Sequence, residues 1–231
     1  MTNTIDIPLN DNWTHIAMLI DRSGSMANLN PQNTSKQLTD FIRDQTGGKV
    51  TVTAARFDNE YEVFIKNKSA IDLTITAADI EPRNTTALYE SFCKLIDQVG
   101  NDLGTMKSER PGKIVFVVLT DGEENASTGV YTGESGRKLL MSKITLQKEV
   151  YNWVFFFMGT NIDALATGKN IGISADTCIN FGANAAQCSQ VIKSTSEKVQ
   201  VLRNLSRGQM SNQKEMLNHV KFTNSDRSAC Q

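Results

Sequence analysis

The chain has 231 residues, enough for one α/β domain with a substantial core and too few for two of ordinary size. Its 24 lysines and arginines nearly cancel its 25 aspartates and glutamates, so overall charge argues for neither a nucleic acid nor an anionic membrane as partner, and binding has to come from a local site. No apolar run approaches the ~20 residues that span a bilayer, and the polar stretch from Met1 to Leu9 lacks the apolar centre of a signal peptide, so a cytoplasmic location is expected.

The first apolar run, His15 to Ile20, reads as a buried strand that gives way at once to a polar loop from Asp21 to Asn33. Leu38, Phe41 and Ile42 recur at helical spacing behind Asn33 and Thr34, predicting a helix from about Thr34 to Gln45. Gly47 and Gly48 end it, and Val50 to Phe57 alternates as a half-exposed strand does. Asp58 and Asn59 then turn the chain into Glu60 to Ile65, a hairpin that places one antiparallel strand at the sheet edge. Leu88, Phe92, Leu95, Ile96, Val99 and Leu103 form a helical stripe, and Lys113 to Thr120 is apolar enough for a central parallel strand. A helix around Arg137 to Glu149, a buried strand at Trp153 to Met158, a short helix around Ala164 to Gly168 and a last strand at Thr177 to Phe181 follow. Val191, Ile192, Thr195, Val199 and Leu202 define a closing amphipathic helix. The chain is polar and aperiodic from about Gly208, as a loosely ordered tail is.

This alternation predicts a doubly wound α/β fold, with a mostly parallel sheet, helices on both faces and one antiparallel edge strand. Ligands of such sheets sit beyond the carboxyl ends of the strands, where the winding reverses. The four cysteines, Cys93, Cys178, Cys188 and Cys230, show no short paired spacing and read as reduced thiols. His15 and His219 lie at opposite ends of the chain with no cysteine pair near either, so a Cys/His zinc site is not expected.

The loops that leave the strands carry oxygen donors: Asp21, Ser23 and Ser25 in DRSGSM, Thr85 and Thr86 in NTTALY, and Asp121 in TDGEEN. Hard divalent cations take oxygen ligands, and Mg²⁺ asks for six while keeping some of its waters. The i, i+2, i+4 spacing of Asp21, Ser23 and Ser25 suits a loop wrapped around one point, with Gly24 expected to ease its turn. The plainer reading makes Ser25 a helix cap, Asp21 and Asp121 turn residues, and Thr86 a helix N-cap, a role compatible with ligation. Glu123 and Glu124 read as a solvated turn, Arg22 as an exposed loop residue or one that steers an acidic partner, and Phe155 to Phe157 as sheet core.

In order and placement these motifs resemble the von Willebrand factor type A domains, whose signature is D-x-S-x-S after the first strand, then a Thr opening a helix, then an Asp in T-D-G. The resemblance covers roughly residues 12–205, leaving 206–231 as the tail, and FFFMGTNIDALA is similar to cytoplasmic prokaryotic-type members. It implies a metal-ion-dependent adhesion site made by Asp21, Ser23, Ser25, Thr86 and Asp121, with Thr86 rather than Thr85 as the ligand and Mg²⁺ or Mn²⁺ as the ion. Asn84 and Thr85 stand where many members have glycines, and Asn tolerates left-handed backbone geometry better than other non-glycine residues.

The function implied is metal-dependent protein binding without catalysis, in which the ion takes an acidic side chain of a partner. A metal-assisted hydrolase or phosphoryl-transfer enzyme is the alternative, but the sequence has no phosphate-binding G-x-x-x-x-G-K-[ST] loop, no serine nucleophile elbow and no histidine near a metal-side strand exit. A scaffold that binds partners without metal is the third reading.

Overall fold

The apolar run at His15–Ile20 lies inside a longer strand, β1 (Leu9–Asp21), which is buried from Trp13 onward. The computed structural model describes residues 7–45 and 47–231; residues 1–6 of the polar N-terminal stretch, and Thr46, lie outside these. Parallel to β1 on one side runs β2 (Lys49–Phe57), which turns into the antiparallel edge strand β3 (Tyr61–Ser69). On the other side β4 (Arg110–Thr120), β5 (Val154–Gly159) and β6 (Cys178–Asn180) follow, all parallel. The strand order is β3-β2-β1-β4-β5-β6, so the winding reverses between β1 and β4.

Side-chain alternation along each strand divides the core into two layers. Ile16, Met18 and Ile20 of β1, with Val115, Val117 and Leu119 of β4, face α1 (Pro31–Arg43) and α5 (Ala185–Asn204). Ala17 and Leu19, with Phe116 and Val118, face α2 (Leu88–Gly104), α3 (Gly133–Tyr151) and α4 (Ala164–Asn170). Phe116 packs between Phe155 and Trp153 at centroid distances of 5.0 and 5.3 Å, in the core role read for the Phe155–Phe157 run.

Three local expectations change. The strand at β2 is nearly all buried, because β1 and β3 flank it and helices cover both faces. Its alternating threonines are satisfied inside: Thr51 Oγ1 accepts from the Trp13 indole at 2.9 Å and Thr53 Oγ1 from Asn67 N at 3.1 Å. Helix α1 begins at Pro31, not Thr34, because Pro31 presets the helical φ and the Asn30 side chain caps Asn33 N at 3.1 Å.

The third change is the tail. Beyond Leu205 the chain forms α6 (Arg207–Ser211), α7 (Gln213–Val220) and α8 (Asn224–Ala229), capped by Ser206, Asn212 and Thr223. Met210, Met216, Val220, Phe222 and Cys230 are buried, and Phe222 meets Phe156 edge-on at 5.9 Å. The Arg227 guanidinium donates 2.8 Å hydrogen bonds to the carbonyls of Cys178 and Ala175, covering the edge at β6. Helices this short show almost no periodicity, which is why the segment reads as loose. Among the described residues no helix is long and apolar enough to cross a membrane.

Candidate metal centre

Asp21 is the last residue of β1, and Asp121 follows the last residue of β4. Parallel pairing of Ile20 with Leu119 sets the two strand exits side by side at the winding switch. Both carboxylates are buried, at 0% and 2% exposure. The D-R-S-G-S loop leaves β1 and enters a 3₁₀ turn over Gly24–Leu29, which Met26 and Leu29 anchor in the core. Ser23 is buried and Ser25 exposed. Ser25 Oγ donates to Asp121 Oδ1 at 2.8 Å, with Ser23 Oγ at 3.4 Å from the same oxygen and 3.3 Å from Ser25 Oγ. Thr86 is buried before the first turn of α2, and its Oγ1 lies 2.9 Å from where a Cβ on Gly122 would stand. All five residues expected to form the site therefore converge on one crevice.

The two carboxylates are held differently. Asp21 uses both oxygens, Oδ1 accepting from Ser23 N at 2.7 Å and Oδ2 from Thr120 Oγ1 at 2.6 Å. Asp121 Oδ2 is buried with no hydrogen-bond partner among the described residues. Burial pushes the Asp21 carboxyl up to about 6, against the lowering effect of its hydrogen bonds and with a smaller push from Asp121. Burial likewise raises Asp121. An acceptor of this kind, sealed from water beside hydroxyls and a second carboxylate, is costly unless a positive charge compensates it, so the residues fit a hard cation. Among the described residues no three His, Cys, Asp or Glu side chains cluster, so the donor set is rich in hydroxyls and not in carboxylates.

Residues around the donors hold the crevice in shape, Asn84 in the left-handed geometry that asparagine tolerates, the others without a local sequence signal. Asn84 takes the left-handed conformation, φ 56°, and its carbonyl accepts from Gly24 N at 3.0 Å. Gly24 itself has no positive φ, and a Cβ there would meet Asn84 O at an ordinary 3.5 Å, so the loop does not need a glycine for its turn. Arg22, expected on an exposed loop, is buried: its Nε lies 3.3 Å from Asp58 Oδ2, and Arg83 binds the same carboxylate. Glu124 does not form a solvated turn. Its carboxylate accepts from the backbone N–H groups of Tyr89, Ala126 and Ser127 at 2.8, 3.1 and 2.8 Å, and from Ser127 Oγ at 2.7 Å. Asn125 Oδ1 accepts from Thr86 N at 2.9 Å, while Thr86 O accepts from the N–H groups of Asn125 and Ala126.

No family model matches the chain, and no curated protein sequence is similar to it. Solved structures are similar in fold. A von Willebrand factor type A protein from Catenulispora acidiphila aligns over 81% of this chain and 43% of its own, at 14% identity and TM-score 0.56. Proximal thread matrix protein 1 of the mussel byssus, with a zinc-occupied MIDAS motif, aligns over 81% and 46%, at 16% identity and TM-score 0.53. The vWF domain of the type V pilus tip protein Mfa5 from Porphyromonas gingivalis aligns over 87% and 97%, at 10% identity and TM-score 0.52. This chain thus spans less than half of the first two and nearly all of the third. The sheet order, its antiparallel edge and these likenesses define the fold as that of von Willebrand factor type A domains.

Proposed function

We propose that the crevice at the ends of β1 and β4 is a divalent cation site of the adhesion type, and that the protein uses it to bind an acidic side chain of a partner protein. The observation that carries this reading is Asp121 Oδ2, a buried acceptor without a partner among the described residues, on a carboxylate whose other oxygen meets the Ser23 and Ser25 hydroxyls and whose neighbour Gly122 lies against Thr86 Oγ1. Those hydroxyls would touch the ion, and Asp121 would face it. Asp21, with both oxygens already engaged, would act from behind Ser23. Oxygen donors of this kind suit Mg²⁺ or Mn²⁺. An ion held mainly by neutral oxygens keeps most of its charge and attracts a carboxylate.

The binding role is supported by what the similar structures are: a pilus tip protein, a minor pilin from Streptococcus sanguinis and a byssal matrix protein. We read the module, spanning roughly residues 12–205 with 206–231 packed onto it, as non-catalytic. His15 pairs with Ile114 near the start of the parallel β1–β4 ladder, far along the strand from Asp21, and His219 sits on α7, so neither is placed as a base at the site. A cytoplasmic location is part of the same proposal, supported by four buried free thiols.

Titration calorimetry with Mg²⁺ and Mn²⁺ on wild type and Asp21→Ala tests the metal site; binding to wild type alone supports it, and heats identical in both proteins overturn it. Acid capture is tested with immobilised peptides that differ only in Glu against Gln. Retention of the Glu peptide in Mg²⁺ and its release by EDTA support the reading, and equal retention of both peptides refutes it.

A further inference from the structure

The loop after β4 does more than supply Asp121. It folds back on the start of α2 and grips Thr86 from both sides: Asn125 Oδ1 accepts the Thr86 N–H at 2.9 Å, and the Asn125 and Ala126 N–H groups donate to the Thr86 carbonyl at 3.0 and 3.1 Å. Glu124 holds this grip closed with four hydrogen bonds. Tyr89 N comes from α2, and Ala126 N, Ser127 N and Ser127 Oγ come from the loop itself. Ser127 Oγ in turn accepts from Glu90 N at 3.0 Å. The Tyr89 and Glu90 N–H groups in the first turn of α2 are thus satisfied by the Asp121 loop, as Ala87 at the N-cap has no side chain able to do so.

We propose that Asn125 is a positioning residue for Thr86, with Glu124 fixing Asn125 in place, so that the threonine hydroxyl and the Asp121 carboxylate are presented to the ion as one rigid unit. This rests on the metal reading above. Outer residues that orient a ligand without touching the ion commonly change metal affinity by ~10 to 100-fold, and here the orienting bonds reach the backbone on both sides of the ligand. The peptide that follows Thr86 is also held from the end of β2, Ala87 N donating to Asp58 O at 2.8 Å, so the Asn125 side chain supplies the bond to the peptide on the other side of the threonine.

The test measures Mn²⁺ affinity by calorimetry in wild type, Asn125→Ala, Asn125→Asp and Glu124→Gln, each also in a Thr86→Ala background, with folding checked by circular dichroism. Asn125→Ala and Glu124→Gln should each weaken Mn²⁺ binding about tenfold. Asn125→Asp keeps the oxygen that accepts from Thr86 N and should bind within about threefold of wild type on the same scale. In the Thr86→Ala background the losses should nearly vanish, since no hydroxyl is left to position. A full loss that persists without the Thr86 hydroxyl, or an Asn125→Ala and Glu124→Gln pair that binds Mn²⁺ as wild type does, overturns the positioning role while leaving the metal site standing. Absence of Mn²⁺ binding to wild type overturns both. Should Asn125→Ala not fold, the Glu124→Gln cycle with Thr86→Ala decides by the same criterion.

Discussion

Ser25 Oγ and Asp121 Oδ1 are joined by a 2.8 Å hydrogen bond across 96 positions of sequence. The parallel register of β1 and β4 makes this contact possible: once Ile20 lies beside Leu119, the loops that follow have to share one crevice. Asp21 and Asp121 are thereby brought together under burial, and the energetic consequences of that arrangement can be measured.

Mg²⁺ or Mn²⁺ should raise the melting temperature. A ligand present at a hundredfold excess over its dissociation constant stabilises the folded state by ~2.7 kcal/mol, which for a chain of this length is about 5 to 10 °C. Differential scanning fluorimetry across a millimolar titration should show the rise in wild type and not in Asp21→Ala. Equal melting of both proteins at every concentration would sink the metal reading.

Gly122→Ala should weaken metal binding without unfolding the protein. A Cβ there would stand 2.9 Å from Thr86 Oγ1, the tip of a side chain that can rotate away, so the fold survives while the hydroxyl is turned out of the site. An affinity loss of about tenfold by calorimetry, with a melting temperature in EDTA close to wild type, is expected. Unchanged affinity would place Thr86 Oγ1 outside the coordination sphere.

In EDTA, Asp21 should make stability depend on pH in a definite direction. Its folded carboxyl titrates at about 6 against an ordinary 3.8, so in between the folded state binds the extra proton. Its contribution is greatest below pH 3.8 and is lost as pH rises through 6. Relative to Asp21→Asn, wild type should gain about 2 kcal/mol between pH 7 and pH 4.5 in urea denaturation. The comparison has to be made against that variant because His15 works in the opposite direction. Burial lowers it to about 4 from 6.5, so its contribution is lost as pH falls through the same range. Parallel pH profiles for the two proteins would show that Asp21 is not held in this environment.

Asp58→Ala should be strongly destabilising although Asp58 is not in the candidate site. The carboxylate is fully buried between Arg22 and Arg83, and Arg22 has a side-chain exposure of only 6%. Removing one partner of a buried pair costs roughly 3 to 5 kcal/mol, and Arg22 is then left with only the half-exposed Glu62, 3.4 Å away. Urea denaturation measures this directly, and a cost below about 1 kcal/mol would mean that Arg22 reaches water as exposed pairs do.

Truncation after Leu205 should destabilise the protein, because Val220 and Phe222 are 0% and 4% exposed and Phe222 stacks edge-on against Phe156 in β5. Burial of side chains this size contributes ~1.5 to 3 kcal/mol each. A truncated chain that melts with the full chain would show the helices to be dispensable.

The sequence by itself determined the sheet. Continuous apolar runs such as Lys113–Thr120 and the Leu88–Leu103 stripe are local periodicities, and local periodicity decides whether a segment becomes a strand or a helix. It also marked the donors Asp21, Ser23, Ser25, Thr86 and Asp121, because oxygen-rich short motifs after strands can be read within a few residues. Only the tertiary structure decided what surrounds them. Arg22 is buried because Asp58, 36 positions further along, sits beside it at the end of β2; Glu124 caps α2 because Tyr89, in the first turn of that helix, presents its N–H; and the tail is ordered because β5 offers Phe156 to Phe222. Each of these depends on a partner distant in sequence, and nothing in the residue's own neighbourhood encodes a partner that only the folded chain brings near.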